Sequence, residues 1–179
     1  MSKVKDNVLS HPSRLEKDYT GSIDILKVHG SLDWFRKDDT TYNIPNSVKI
    51  PNGFVPCIVT PGANKYERTQ HEPFRQLLHT IDSIFENTQY YLCIGYGFND
   101  IHVQEMLLKN SKKKRSKILI LTKEITSSIQ ENVIDKGYDY IAVYSDGANG
   151  TLIKKQNGDI TDPSKKYWTI DGLMEIIKQ

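Results

Sequence analysis

Cysteine is scarce in this chain of 179 residues, which holds two, Cys57 and Cys93. Both stand inside apolar, strand-like stretches, where a small soft side chain is expected as a buried free thiol. Charge of one sign is equally short, because 24 Lys and Arg against 22 Asp and Glu leave a net +2. A balance so near zero gives no footprint for nucleic acid, so no nucleic-acid partner is expected, and the concentrated basic run at residues 112–117 reads as a solvated turn between a helix and a strand. No apolar run approaches the ~20 residues that cross a membrane. Residues 1–7 lack the apolar core of a secretory signal, so the expectation is a cytoplasmic chain with no membrane partner. Metal-ligand spacing is missing too: His71 and His79 lie in or beside a helical pattern with no second ligand at the right distance, and no metal is expected. There is no internal repeat, and the length suits one ordinary domain.

What the chain does contain is an alternation of strand and helix patterns. Residues 23–28 alternate apolar and polar and end on His29 and Gly30. Residues 36–43 read as a turn or hairpin tip, and 54–60 as a second strand. From Glu72, the apolar residues Phe74, Leu77, Leu78, Ile81, Ile84 and Phe85 fall on one helical face. Residues 90–94 form a continuous apolar run expected as the central, buried parallel strand. A short helix over 101–109, a strand over 117–121, a helix opened by a Thr122 cap and ended by Gly137, and a strand over 138–144 follow. That order argues for a parallel sheet with crossover helices. Asp146-Gly147 and Asn157-Gly158 bracket a hairpin, and 168–177 form an amphipathic closing helix.

Two segments stand where an apolar strand runs out, the edge at which parallel sheets bind ligands. The first is His29-Gly30-Ser31, within 28–34; the second is Gly95-Tyr96-Gly97-Phe98-Asn99-Asp100-Ile101-His102. Gly95 and Gly97 let the backbone approach a ribose or phosphate at the start of the next helix, where the dipole favours negative charge. Asn99 and Asp100 also suit a helix cap, their first reading, and Trp34 reads as a packing residue. In this order, with 56–62 and Glu72-Pro73-Phe74 between them, the two blocks resemble the sirtuin-like family of NAD hydrolases, in particular its bacterial anti-phage branch.

The resemblance spans residues 23–145 and implies a Rossmann-like domain that takes NAD as substrate and splits its nicotinamide–ribose bond. It implies His29 as general base, and Gly95, Tyr96, Gly97, Asn99 and Asp100 as the residues against NAD, with Thr122 and Lys123 beneath the adenine ribose. Such cleavage passes through an oxocarbenium-like transition state and needs a base. A family serine at position 97 is glycine here. Two isolated cysteines cannot build the zinc site of two Cys-x-x-Cys pairs found in many sirtuin deacylases, which favours the NAD-hydrolysing branch.

The expected fold class is α/β: a Rossmann-like three-layer parallel sheet lacking the usual N-terminal glycine-rich half, with both blocks ending neighbouring parallel strands. The expected divisions are a polar arm at 1–22, a sirtuin-like core at 23–145, and a C-terminal hairpin and helix at 146–179. Before their His-Gly block, family members carry a Gly-Ala-Gly-x-Ser phosphate turn and a Thr-Asn-Tyr-Asp segment with a catalytic asparagine. Residues 1–22 hold a single glycine, Gly21, and match neither. The chain is thus similar to the second half of the domain, and weak binding of NAD by itself is expected. The expected function is an NAD hydrolase effector subunit that yields nicotinamide and ADP-ribose and depends on a protein partner or homo-oligomer. The alternative is a non-catalytic nucleotide-sensing or scaffold subunit with a degenerate sirtuin-like fold.

Overall fold

Two separate hydrophobic clusters organise the chain, and they fall in two compact units, Met1–Ile81 and Asp82–Gln179. The computed structural model describes residues 2–3, 8–15, 19–38, 40–45, 49–59, 72–162 and 164–178. Residue 60, the last of the second expected strand, residues 61 and 62 of the resemblance, and His71 lie outside these. The division falls within the stretch read from sequence as one core.

The first unit is antiparallel. Strands β2 (Val8–Leu15) and β3 (Tyr19–Leu26) pair with each other, from Val8 opposite Leu26 to Leu15 opposite Tyr19. Of residues 1–22, expected as an arm, 8–15 and 19–22 therefore lie in strands. A four-stranded sheet has the order β1-β5-β4-β6, built from β1 (Ser2–Lys3), β4 (Gly30–Lys37), β5 (Thr40–Asn43) and β6 (Val55–Ile58). The hairpin tip expected at 36–43 is the β4–β5 turn, where Lys37 faces Thr40 and Asp38 takes a positive φ of 48°. Helix α1 (Phe74–Glu86) turns Phe74 and Leu77 into a cluster with Trp34, Cys57 and Val59. Trp34 is wholly buried, which makes it the packing residue its bulk suggested.

The second unit is built on a mixed sheet of order β11-β10-β9-β8-β7. Strands β7 (Tyr90–Ile94), β8 (Lys117–Leu121) and β9 (Tyr140–Ser145) are parallel, while β10 (Thr151–Lys155) and β11 (Ile160–Asp162) add on antiparallel. The fold is α/β, with part of the sheet parallel rather than all of it. Register places Tyr91, Ile118 and Tyr140 in one row and Cys93, Ile120 and Ala142 in the next on the same face. Helix α2 (Ile101–Lys114) covers that face with Leu107 and Leu108, and α3 (Ser127–Ile129), running into a π-helical turn at Gln130–Ile134, adds Ile129 and Val133.

The opposite face carries Tyr90, Leu92, Ile94 and Ile141 exposed. Strand β7, expected at the centre and buried on both sides, is an edge strand among the described residues, with alternating exposure. A C-terminal segment closes the far side of the sheet, where the buried Thr151 hydroxyl donates to the Lys165 carbonyl at 2.6 Å and accepts from the Tyr167 amide at 2.9 Å. Helix α4 (Ile170–Ile177) follows, capped by Thr169, and Gly172 fits because a Cβ there would come within 2.1 Å of the Lys166 carbonyl oxygen.

Candidate functional site

His29 sits in a tight turn between β3 and β4. The Gly30 amide donates to the Lys27 carbonyl at 2.9 Å, and the His29 carbonyl accepts from the Val59 amide at 2.8 Å. Gly30 has a φ of 80°, and a Cβ on it would lie 2.1 Å from the Cys57 carbonyl oxygen. Only glycine meets both demands. The backbone of the half-buried His29 is thereby fixed from two sides.

Beside it stands a charged network that sequence reasoning missed. The Lys27 ammonium donates to the Ser31 hydroxyl at 2.8 Å and lies 3.6 Å from the Asp33 carboxylate, while the Asn43 amide donates to the other Asp33 oxygen at 2.8 Å. Burial works against the Asp33 charge, but hydrogen bonds from Ser31, Asn43 and its own backbone, with the Lys27 charge, hold the carboxyl below its ordinary range. Asp33 Oδ1 is a buried oxygen without a hydrogen bond. Lys27 and Asp33 were visible in sequence, whereas Asn43 arrives through the β4–β5 register. Only the pairing reveals the cluster.

The second block follows β7 at the carboxyl end of a parallel strand, as expected. Gly95 takes a φ of 60° with open space where a Cβ would be, and its amide donates to the Leu121 carbonyl at 2.9 Å. Gly97 has the Asn99 side chain 2.9 Å from its missing Cβ. Tyr96 rests on the buried Phe98 ring, with centroids 4.8 Å apart, and its hydroxyl donates to the Asp100 carbonyl at 3.3 Å. Burial first, and then the Asp100 charge, push the Tyr96 phenol well above its ordinary range, so this hydroxyl stays protonated. Asp100 is the N-cap of α2, its carboxylate accepting from the Val103 amide at 3.5 Å. The capping role is therefore real for Asp100, while Asn99 is exposed.

Two hydroxyls from α3 anchor this turn. Thr126 donates to the Gly97 carbonyl at 3.5 Å, and Ser128 donates to the Phe98 carbonyl. Thr126 also caps α3 by accepting from the Ile129 amide at 3.2 Å, so the cap expected at Thr122 belongs four residues later. Thr122 instead donates to the Glu124 carbonyl at 3.1 Å, and Lys123 is exposed. A cleft of about 470 Å³ flanks β7, lined among others by Phe85, Tyr91, Cys93, Tyr96 and Leu107. His102 is half-buried in the first turn of α2, and His79 is exposed.

The two blocks do not end neighbouring parallel strands. His29 lies between antiparallel strands of the first unit, whereas β7 pairs with β8 in the sheet of the second. The apolar–polar alternation of residues 23–28 fits an antiparallel strand as well as an exposed parallel one, which is why it did not discriminate. Among the described residues, no helix is long and apolar enough to cross a membrane, and no group of three or more His, Cys, Asp and Glu is arranged to hold a metal. No family model matches the chain, and no curated protein matches it.

Proposed function

We propose that this chain is an NAD hydrolase effector subunit of anti-phage defence, acting in the cytoplasm and completed by a protein partner or by homo-oligomer formation. In this reading the completed domain is a Rossmann-like three-layer parallel sheet, and the product pair is nicotinamide and ADP-ribose. The observation that carries it is the glycine turn at residues 95–100, at the carboxyl end of the parallel strand β7 and opening directly into the N-terminus of α2. Open α/β sheets take their ligands at that edge, and a helix N-terminus there favours a phosphate. His29 supplies the base and activates water or a ribose hydroxyl as positive charge develops on the ribose. Hydrogen bonds from Ser31 and Asn43, with the Lys27 charge, favour the ionised form of Asp33 on the strand that follows His29.

The test is nicotinamide release from NAD by the assembled protein, with His29→Ala compared to wild type. Loss of a general base lowers turnover by ~10² to 10⁴-fold. Full turnover by folded His29→Ala would put the base elsewhere. A second reading, the non-catalytic nucleotide-sensing or scaffold subunit, is favoured by two observations: Asp100 is spent on capping α2, and the Asn99 amide is packed against Gly97. Under that reading the assembled wild type releases no nicotinamide while still binding nucleotide.

A further inference from the structure

At the opposite end of the second unit's sheet, where β8 begins, three cations from two elements meet around a cavity of about 360 Å³. Lys112 and Arg115 come from the end of α2, and Lys136 from the turn after the π-helical segment. Tyr138, Asp139 and Gln156 complete the wall. Against three positive charges there is one negative, so the rim carries about +2. No ion pair joins Lys112 or Arg115 to a carboxylate among the described residues.

A helix C-terminus attracts cations, and that accounts for Lys112–Lys114 as a group. It does not account for Arg115. This residue occupies the left-handed position that ends α2, with a φ of 54°, where helices ordinarily place glycine to avoid strain. Nor does it account for Lys136, which arrives from another element. Three other polar side chains of the cavity, Ser111, Ser116 and Gln156, are committed to the fold. Ser111 donates to the Ser116 carbonyl, Ser116 to the Thr88 carbonyl, and the Gln156 amide to the Gly137 and Tyr138 carbonyls at 3.0 and 2.9 Å. The last two bonds strap the β10–β11 turn to the Lys136 loop and fix the mouth. What remains is an ammonium and a guanidinium, most of a second ammonium, since Lys136 gives one bond to Asn132 at 3.3 Å, and the single Asp139 carboxylate, so the cations are in excess.

We propose that this cavity binds a small phosphate-bearing ligand of mononucleotide size, at a site separate from the turn that follows β7. Arg115 takes the phosphate through its planar fork, the two lysines add charge, and Tyr138 offers a ring edge to the rest of the molecule. A volume of about 360 Å³ suits one nucleotide, within the usual range of ligand pockets. The cations gather at one mouth rather than along a stripe, which favours a compact anion over an extended polyanion.

Calorimetric titration of the full chain with adenosine 5′-monophosphate, at low ionic strength, tests the assignment. The expected result is saturable binding that plain adenosine does not give and that inorganic phosphate competes for. Arg115→Gly separates ligand from fold, because glycine relaxes the left-handed backbone while removing the guanidinium. It should leave the melting temperature unchanged or higher and weaken the nucleotide at least tenfold, as should Lys112→Gln. Lys113→Gln and His29→Ala should bind as wild type does. The proposal is overturned by no binding, by equal binding of adenosine, by undiminished binding to Arg115→Gly, or by an oligonucleotide that binds more tightly than the mononucleotide. Sensitivity to His29→Ala alone would assign the nucleotide to the other site and overturn it equally.

Discussion

Gly30 meets two structural demands at once, a positive φ and a close backbone approach. A Cβ there meets the Cys57 carbonyl oxygen at 2.1 Å in a backbone already at positive φ. Gly30→Ala should therefore destabilise the chain by about 2–5 kcal/mol, combining left-handed strain with overpacking. Denaturant titration measures this, and an unchanged midpoint would mean that β4 and β6 do not approach so closely. The turn itself was legible, since a glycine after a strand announces one. The close approach was not, because it depends on β6, some 25 residues on. Cys93 offers a chemical check of burial. Its surroundings push the thiol up to about 11, so at pH 8 roughly one thiol in a thousand is ionised. Cys93 should resist iodoacetamide in the folded chain and react once denatured; rapid native alkylation would contradict the packing of β7.

At the level of elements, the sequence read the number and kind of segments in the second unit well and their neighbours less well. Residues 90–94 and 117–121 form strands with those bounds. The position of β7 at an edge escaped, because an unbroken apolar run looks the same whether one face or both are covered. Its actual pattern leaves Tyr90 72%, Leu92 51% and Ile94 46% exposed. The cap of α3 was misplaced for a related reason: Thr122 and Thr126 are equivalent by type, and only the hydrogen bond to the Ile129 amide distinguishes them. Thr126→Ala should cost about 1 kcal/mol as a lost cap. Thr122→Ala should stay within about 0.5 kcal/mol, as an ordinary surface change does. Equal costs would return the cap to Thr122.

For the molecule as a whole, the division at Ile81 and Asp82 was invisible in composition, since no Pro-, Gly- or charge-rich linker marks it. It falls inside α1, a single amphipathic helix. The second unit nevertheless owns a continuous core of Tyr91, Cys93, Leu107, Ile118, Ile120, Ile129 and Val133. The start of the unit is tied to that core by the buried Asn110, whose amide donates to the Asp82 carboxylate at 3.0 Å. A fragment of residues 82–179 should accordingly unfold in one cooperative thermal transition. A featureless, non-cooperative melt would show that the core needs the first unit. The two candidate blocks fall on either side of that division, His29 in the first unit and residues 95–100 in the second. Their residues were legible one by one, while their sheet membership required pairing partners far along the chain.

The π-helical turn at Gln130–Ile134 closes with the Asp135 amide on the Gln130 carbonyl, so it holds one residue more than an α-helical turn would. Losing a residue from an ordinary helix rotates everything beyond it by about 100°. Here a chain without the exposed Glu131 could tighten to α geometry and keep Ile129 and Val133 on the same side, three apart instead of four. Length variation among chains of this fold would be absorbed at that turn, leaving β9 and the Lys136 loop in register.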